Sequence, residues 1–235
     1  MTHWDPAWWA VDGAVSTRSM TAWRGVEAQH VVSTLRLVDT VEEQDLLEQL
    51  LESSKPARPD GAQAKHYLLA TPFRYRPAHQ SRFRPANALG QWYGAESVYG
   101  AAAEVAYWRH RFILDSAGLL GQVLLTEHSF FQAALKGLCV DLMQPPWLHA
   151  RPAWTQANDY SATQALASEA QCKGVQWLSY ESVRAPGQRC AVAFDVNCLA
   201  EPTPSLDSTL QRWVCKATRH LVMFTRGRET YAWDF

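Results

Sequence analysis

The sequence predicts an α+β fold, a mixed sheet with surrounding helices. Strand-like and helix-like segments alternate without a regular βαβ order, which argues against a purely parallel sheet. Apolar residues make up 47% of 235 positions, enough to fill a sizeable core. The short strand signals are punctuated by Gly and Pro rather than arranged in a repeat of fixed period.

Residues 1–65 read as a helical extension packed on a body formed by residues 66–235. Trp4, Trp8 and Trp9 make an apolar start, and residues 23–38 suit a helix. Thr40 and Glu43 have capping-box spacing at the start of a second helix, with Leu46, Leu47, Leu50 and Leu51 on one face. Pro56, Pro59 and Gly61 end it. Two uses of the tryptophans stay open: packing on the body, or serving a dimer or partner.

Residues 66–71 read as a strand, followed by a Pro- and Arg-rich stretch to Arg84. Residues 89–94 suit a short strand between glycines. Ser97 is an N-cap for the helix-like run that follows, with Val98, Ala101, Ala102, Val105 and Phe112 as its apolar stripe. Ser97, Gly100 and Glu104 lie on one line beside that stripe. Two of the three are small, so Glu104 is free to look into an open cleft.

Further on, residues 129–135 and 138–142 suit two strands joined around Lys136 and Gly137. Asp159 caps a helix to Lys173, and Gly174 ends it. Strands follow at 175–180 and 190–196, separated by the polar loop 181–187, a place where sites tend to sit. Ser205 opens a last helix with Leu206, Leu210, Trp213, Val214 and Ala217 inward. Residues 221–224 and 230–233 form a closing hairpin around Arg226, Gly227 and Arg228.

Composition excludes several functions. The net charge is -1, which lacks the basic face of a dedicated nucleic-acid binder. No apolar run reaches membrane-spanning length, and the N-terminus has no signal-peptide core. The five cysteines (139, 172, 190, 198 and 215) have no Cys-x-x-Cys spacing, as expected of reduced thiols in a cytoplasm. The histidines are scattered without ligand spacing, so no metal is expected. Dinucleotide-binding Gly-x-Gly-x-x-Gly, P-loop and Gly-x-Ser-x-Gly motifs are all missing.

What remains concentrated is the stretch from Ser81 to Arg109. Arg82 and Arg84 can grip a phosphate or carboxylate. Tyr93 offers a ring, and Glu96 and Glu104 offer carboxylates. The same residues serve equally as surface stacking and ion pairs.

Arg82-Phe83, Tyr93-Gly-Ala-Glu-Ser97 and Ala101-Ala-Ala-Glu104 resemble motifs of the RES domain, named for its Arg, Glu and Ser. Trp154, Asp159-Tyr160, residues 164–167, Gly174, Tyr180-Glu-Ser-Val-Arg184 and residues 189–193 continue the resemblance in order. It spans residues 74 to 196. The resemblance implies an ADP-ribosyltransferase-like fold with a pocket for NAD as substrate and no metal. It implies Arg82, Tyr93, Glu104 and Ser182 as the catalytic set, with Arg74, Tyr75, Arg84 and Glu96 as NAD-binding residues. Arg76 rivals Arg74 as the early arginine. Ser182 lacks a base and suits hydrogen bonding rather than attack. The implied activity is cleavage of the nicotinamide–ribose bond, by water or by phosphate, in a bacterial toxin paired with an Xre-type antitoxin. Transfer of ADP-ribose to a protein and a non-enzymatic interaction module are the alternatives. Neither nucleic acid nor membrane is an implied partner, and a homodimer is left open.

Overall fold

The computed structural model describes residues 3–28, 37–57 and 59–235. Ser16–Glu27 is a 12-residue strand, β1, and Trp92–Ala95 is β2. Leu124–Asp141 forms an 18-residue strand, β3. Trp177–Glu181, Arg189–Ala193 and Leu199–Ala200 are β4, β5 and β6. Gln211–Ala217, Leu221–Arg226 and Glu229–Asp234 are β7, β8 and β9. The helices are α1 (Val41–Ser54), α2 (Tyr67–Ala70), α3 (Val98–Leu114), α4 (Arg151–Trp154) and α5 (Ser161–Cys172).

β3 is the spine. One edge pairs antiparallel with all of β1, from Cys139 opposite Ser16 to His128 opposite Glu27. Its other edge takes β7 at the start, β6 in the middle and β4, in parallel, at the end. β4 pairs with β5, β5 with β2, and β2 returns to β1 where Trp23 faces Ala95. The five strands β3, β1, β2, β5 and β4 therefore close a ring, and β7, β8 and β9 extend the sheet outward. Such closure leaves no free edge around the ring.

Both faces of the ring are covered. On β4, Leu178 and Tyr180 join a cluster with Phe83, Ala101, Trp147 and Leu166. Trp177 on the same strand points the other way, to Leu69, Phe73, Phe131 and Leu199. β4 is buried on both sides from Trp177 to Tyr180, and the one polar side chain among those four, Ser179, accepts a hydrogen bond from Arg189.

Several expectations are borne out. Thr40 and Glu43 form the capping box of α1. Ser97 caps α3, Gly174 takes a left-handed conformation behind α5, and β8 and β9 form the closing hairpin. All five cysteines are free thiols, four of them buried. Among the described residues no helix is long and apolar enough to cross a membrane.

Others are corrected. Residues 23–27 are not helical but the end of β1, so the helical reading of 1–65 fails there; residues 29–36 of that expected helix lie outside the described residues. The exposure of residues 16–22 alternates with period two, the mark of a strand. Residues 66–71 are helical turns, with the His66 ring accepting from the Leu68 amide at 3.2 Å. The two strands expected at 129–142 are one, because Lys136 and Gly137 pair in register with Ser19 and Arg18. The last expected helix is β7, in which Trp213, Cys215 and Ala217 point inward and Val214 is 47% exposed. On α3 the stripe turns: Phe112 is exposed, and Ala106, His110 and Ile113 are buried instead. The leucine face of α1 is not packed on the body, for the helix has no buried residue and Leu46 and Leu50 are 56% and 57% exposed. The N-terminal tryptophans do pack, with Trp4 buried and Trp8 and Trp9 against the same cluster.

Candidate active site

The ring brings β1 and β2 close beside the start of α3. Gly94 permits this approach, since a Cβ there would lie 2.9 Å from the Trp23 carbonyl and closer still to the Trp92 ring. One residue past β2, Glu96 bonds backbone to backbone with Arg189, and Ser97 then accepts from the Gly100 amide at 3.0 Å to start α3. Between β1, β2, α3 and the loop at Ser81 and Arg82 lies a cavity of about 270 Å³. Arg24, Ser81, Arg82, Tyr93, Glu104 and Tyr180 line it, with Trp23 and Trp108 among its apolar walls.

Glu104 stands one turn beyond Gly100 on the face of α3 turned to the cavity. Its Oε1 accepts from the Ser182 hydroxyl at 2.6 Å. Burial holds the Glu104 carboxyl above its usual range, against the pull of Ser182, Arg82 and Arg184. Ser182 is buried at the end of β4, and its Oγ accepts from the amides of Arg184 and Ala185 at 3.1 and 2.9 Å. With both amides directed at it, the hydroxyl proton is turned to Glu104. Ser182 thus orients a carboxylate.

Arg82 is buried with its guanidinium 5.0 Å from the centre of the Tyr160 ring. Its Nη1 donates to the carbonyls of Trp154 and Gln156 at 3.1 and 2.9 Å. Thr163 Oγ1 in turn donates to the Arg82 carbonyl. The Tyr93 hydroxyl donates to Gln91 Oε1 at 2.9 Å and lies 2.9 Å from Ser81 Oγ. Burial pushes the Tyr93 phenol up to about 12, so it acts as a neutral hydrogen-bonding group. Burial likewise raises the Tyr180 phenol well above its ordinary value.

The structure therefore gathers Arg82, Tyr93, Glu104 and Ser182 around one cavity or directly behind it. It sets the remaining sequence candidates elsewhere. Arg84 is buried in its own loop, donating to the carbonyls of Pro77, His79, Pro85 and Ala88. Arg74 donates to the Pro56 carbonyl from Nε at 2.8 Å and pairs with Glu52 at 3.4 Å. Tyr75 is exposed, and its carbonyl accepts from Gly90. Arg76 is exposed and reaches the Asn87 carbonyl. Glu96 accepts from the Arg189 amide at 2.8 Å and so ties β5 to the cap of α3. None of these five lines the cavity.

Sequence reasoning missed Arg24. It projects from β1 into the cavity, and its Nη1 donates to the Tyr93 carbonyl at 2.9 Å. Its buried Nε has no partner. Burial lowers this guanidinium to about 10, which leaves it charged at neutral pH. Trp108, 44% exposed, stands one helical turn after Glu104 at the same cavity. No local motif marks Arg24, because the segment that makes it face Tyr93 is β3, a hundred residues away. Trp108 was legible in principle, since positions four apart on a helix share a face.

Comparison with known proteins gives a family. The RES domain model matches residues 55–214, which includes Arg82, Tyr93, Glu104 and Ser182 and leaves out Arg24. Comparison with curated proteins finds no match. Among solved structures, the crystal structure of the M. tuberculosis MbcT–MbcA toxin–antitoxin complex is similar over 87% of this chain and 87% of that chain. The identity is 15% and the TM-score 0.46, a likeness too distant to bear on function.

Proposed function

This chain belongs to the RES domain family, and from that membership we propose that it consumes NAD by cleaving the nicotinamide–ribose bond, as the toxin of a toxin–antitoxin pair. The observation that carries the reading is the 2.6 Å contact by which Ser182, from behind, holds Glu104 in the wall of a cavity that two arginines also line. A fixed carboxylate beside two guanidinium groups suits a ligand with a diphosphate at one end and developing positive charge at the other.

Cleavage takes the bonding pair from ribose C1 onto the ring nitrogen of nicotinamide, which leaves as a neutral molecule. The ribose then carries oxocarbenium-like charge, as in glycoside cleavage. In its carboxylate form Glu104, held by Ser182, stabilises that charge. Preorganised charge of this kind is commonly the largest catalytic contribution. Arg82 and Arg24 hold the diphosphate, so binding energy at the remote end orients the breaking bond. Water or phosphate then attacks C1, and water gives up its proton to solvent or to the freed Glu104. Tyr93, neutral and tied to Gln91 and Ser81, fixes the wall on which the substrate lies.

The deciding experiment incubates the protein with NAD, with and without phosphate, and separates the products. Nicotinamide with ADP-ribose is the outcome of hydrolysis, and ADP-ribose 1''-phosphate that of phosphorolysis. Label transferred to protein instead would replace cleavage by ADP-ribosyl transfer. Unchanged NAD would leave a non-enzymatic interaction module as the reading. In cells, expression should lower NAD and arrest growth, with relief by a co-expressed Xre-type antitoxin. Normal growth with abundant folded protein would remove the toxin role.

A further inference from the structure

The tryptophan-rich start of the chain lies outside the family match, yet it connects to the cavity through three consecutive hydrogen bonds. The Trp147 indole N–H donates to the Ala14 carbonyl at 2.9 Å. The Trp154 indole N–H donates to the Trp147 carbonyl at 2.7 Å. The Trp154 carbonyl accepts from Arg82 Nη1 at 3.1 Å. Ring contacts brace each step: Trp9 lies 4.7 Å and Trp8 5.7 Å from Trp147, and Trp4 lies 5.9 Å from Trp154. The segment itself is held by Asp5, whose carboxylate accepts from the Ala7 amide at 2.8 Å ahead of the turn Pro6–Ala10.

We propose that residues 4–14 are a positioning element for Arg82, acting through Trp147 and Trp154. The stereochemistry of the guanidinium gives the reason. Nη1 carries two hydrogens, and the Trp154 and Gln156 carbonyls take both. Nε and Nη2 have no hydrogen-bond partner among the described residues. Those two nitrogens form the fork that grips a phosphate or carboxylate in two parallel bonds. Holding Nη1 from behind, with Tyr160 against one face, leaves that fork as the edge available in the cavity. A small shift of the Trp154 carbonyl rotates the fork, and bidentate geometry is lost before the charge is. The indole donors are long-range staples that keep α4 and the turn before it from shifting.

This inference rests on the NAD reading for its functional consequence, though not for its structural one. The variants are Trp154→Phe and Trp147→Phe, which keep a ring and delete the donor, and the milder Trp4→Phe, which keeps a ring against Trp154. NAD affinity is titrated calorimetrically in the Glu104→Gln background, where turnover is slowed about a hundred-fold or more. Trp154→Phe and Trp147→Phe should each weaken binding about five- to ten-fold. In enzyme with Glu104 intact they should raise KM and leave kcat within about two-fold. Combined with Arg82→Lys, they should weaken binding no further, since both changes act on one fork. Equal losses in both backgrounds, or a lower melting temperature with unchanged affinity, would reduce the tryptophans to core packing and overturn the proposal. If either phenylalanine variant fails to fold, Trp4→Phe carries the same comparison, with a shift of about two- to three-fold. A second readout needs no NAD. In spectra of protein labelled with ¹⁵N-arginine, the Arg82 Nε–H signal, assigned by its loss in Arg82→Lys, should shift and broaden in Trp154→Phe. An unchanged signal sinks the proposal. Should the wild type neither bind nor consume NAD, that signal still decides the positioning claim while the proposed function alone falls.

Discussion

Glu104 and Ser182 are 78 positions apart in the chain and joined by a 2.6 Å hydrogen bond. α3 delivers the carboxylate and the end of β4 delivers the hydroxyl, which donates its proton to Glu104 while its two lone pairs accept from two amides. Replacing Ser182 by Ala removes the donor and frees those amides. Burial then acts on Glu104 with less opposition, so its carboxyl rises further above the ordinary range. The acidic limb of the kcat profile should move to higher pH, with kcat at neutral pH lower by about ten- to a hundred-fold. An acidic limb that stays in place would detach Ser182 from the carboxylate's chemistry.

Glu104→Gln keeps the size of the side chain and removes its charge. Turnover should fall by about a hundred-fold or more while NAD affinity stays nearly intact. Stability carries a second signature. The folded carboxyl is raised above its unfolded value, so its contribution is fully present below the unfolded value and is lost as pH rises through the folded one. The Gln variant should therefore melt higher than wild type at pH 8. The gap should close toward about pH 4, where both side chains are neutral. A variant that melts lower at pH 8 would mean that Glu104 is part of a stabilising ion-pair network.

Arginine substitutions separate the cavity from its scaffold. Arg82→Ala and Arg24→Ala should each weaken NAD binding by at least about ten-fold, since a charge-assisted bond is worth about 1.5–3 kcal/mol. Arg84→Ala should instead lower the melting temperature, because Arg84 closes its loop through four backbone carbonyls. Titration of NAD beside a thermal scan checks all three. Loss of affinity in Arg84→Ala at unchanged stability would return that residue to the binding site.

The leucines of α1 should be tolerant. Leu50→Glu places a charge where the side chain is already 57% exposed, so unfolding free energy should change by less than about 0.5 kcal/mol. A denaturant titration showing a loss above about 2 kcal/mol would mean that α1 is buried in solution.

By itself, the sequence determined the local devices and the identity of the central residues. The capping box of α1, the Ser97 cap of α3, the last hairpin and the inward line through Gly100 and Glu104 all depend on neighbours within a turn, and local patterns record such neighbours. The ordered motifs from Arg82 to Ser182 identified the family. Tertiary structure alone decided the rest. β1 became a strand because β3, more than a hundred residues later, pairs with its whole length; that pairing put Arg24 in the cavity and carried β3 straight through Lys136 and Gly137. β7 shows the same override, its Trp213 and Val214 placed on opposite faces by pairing with β3 and β8. Which arginines face the cavity was likewise not local. Arg82 and Arg84 differ by two positions and share a chemistry, and the nearest backbone carbonyls, those of Trp154 and Gln156 for one and of its own loop for the other, fixed where each guanidinium points. Strand pairing and buried hydrogen bonding join residues distant in the chain, and a single sequence records the residues without recording which of them meet.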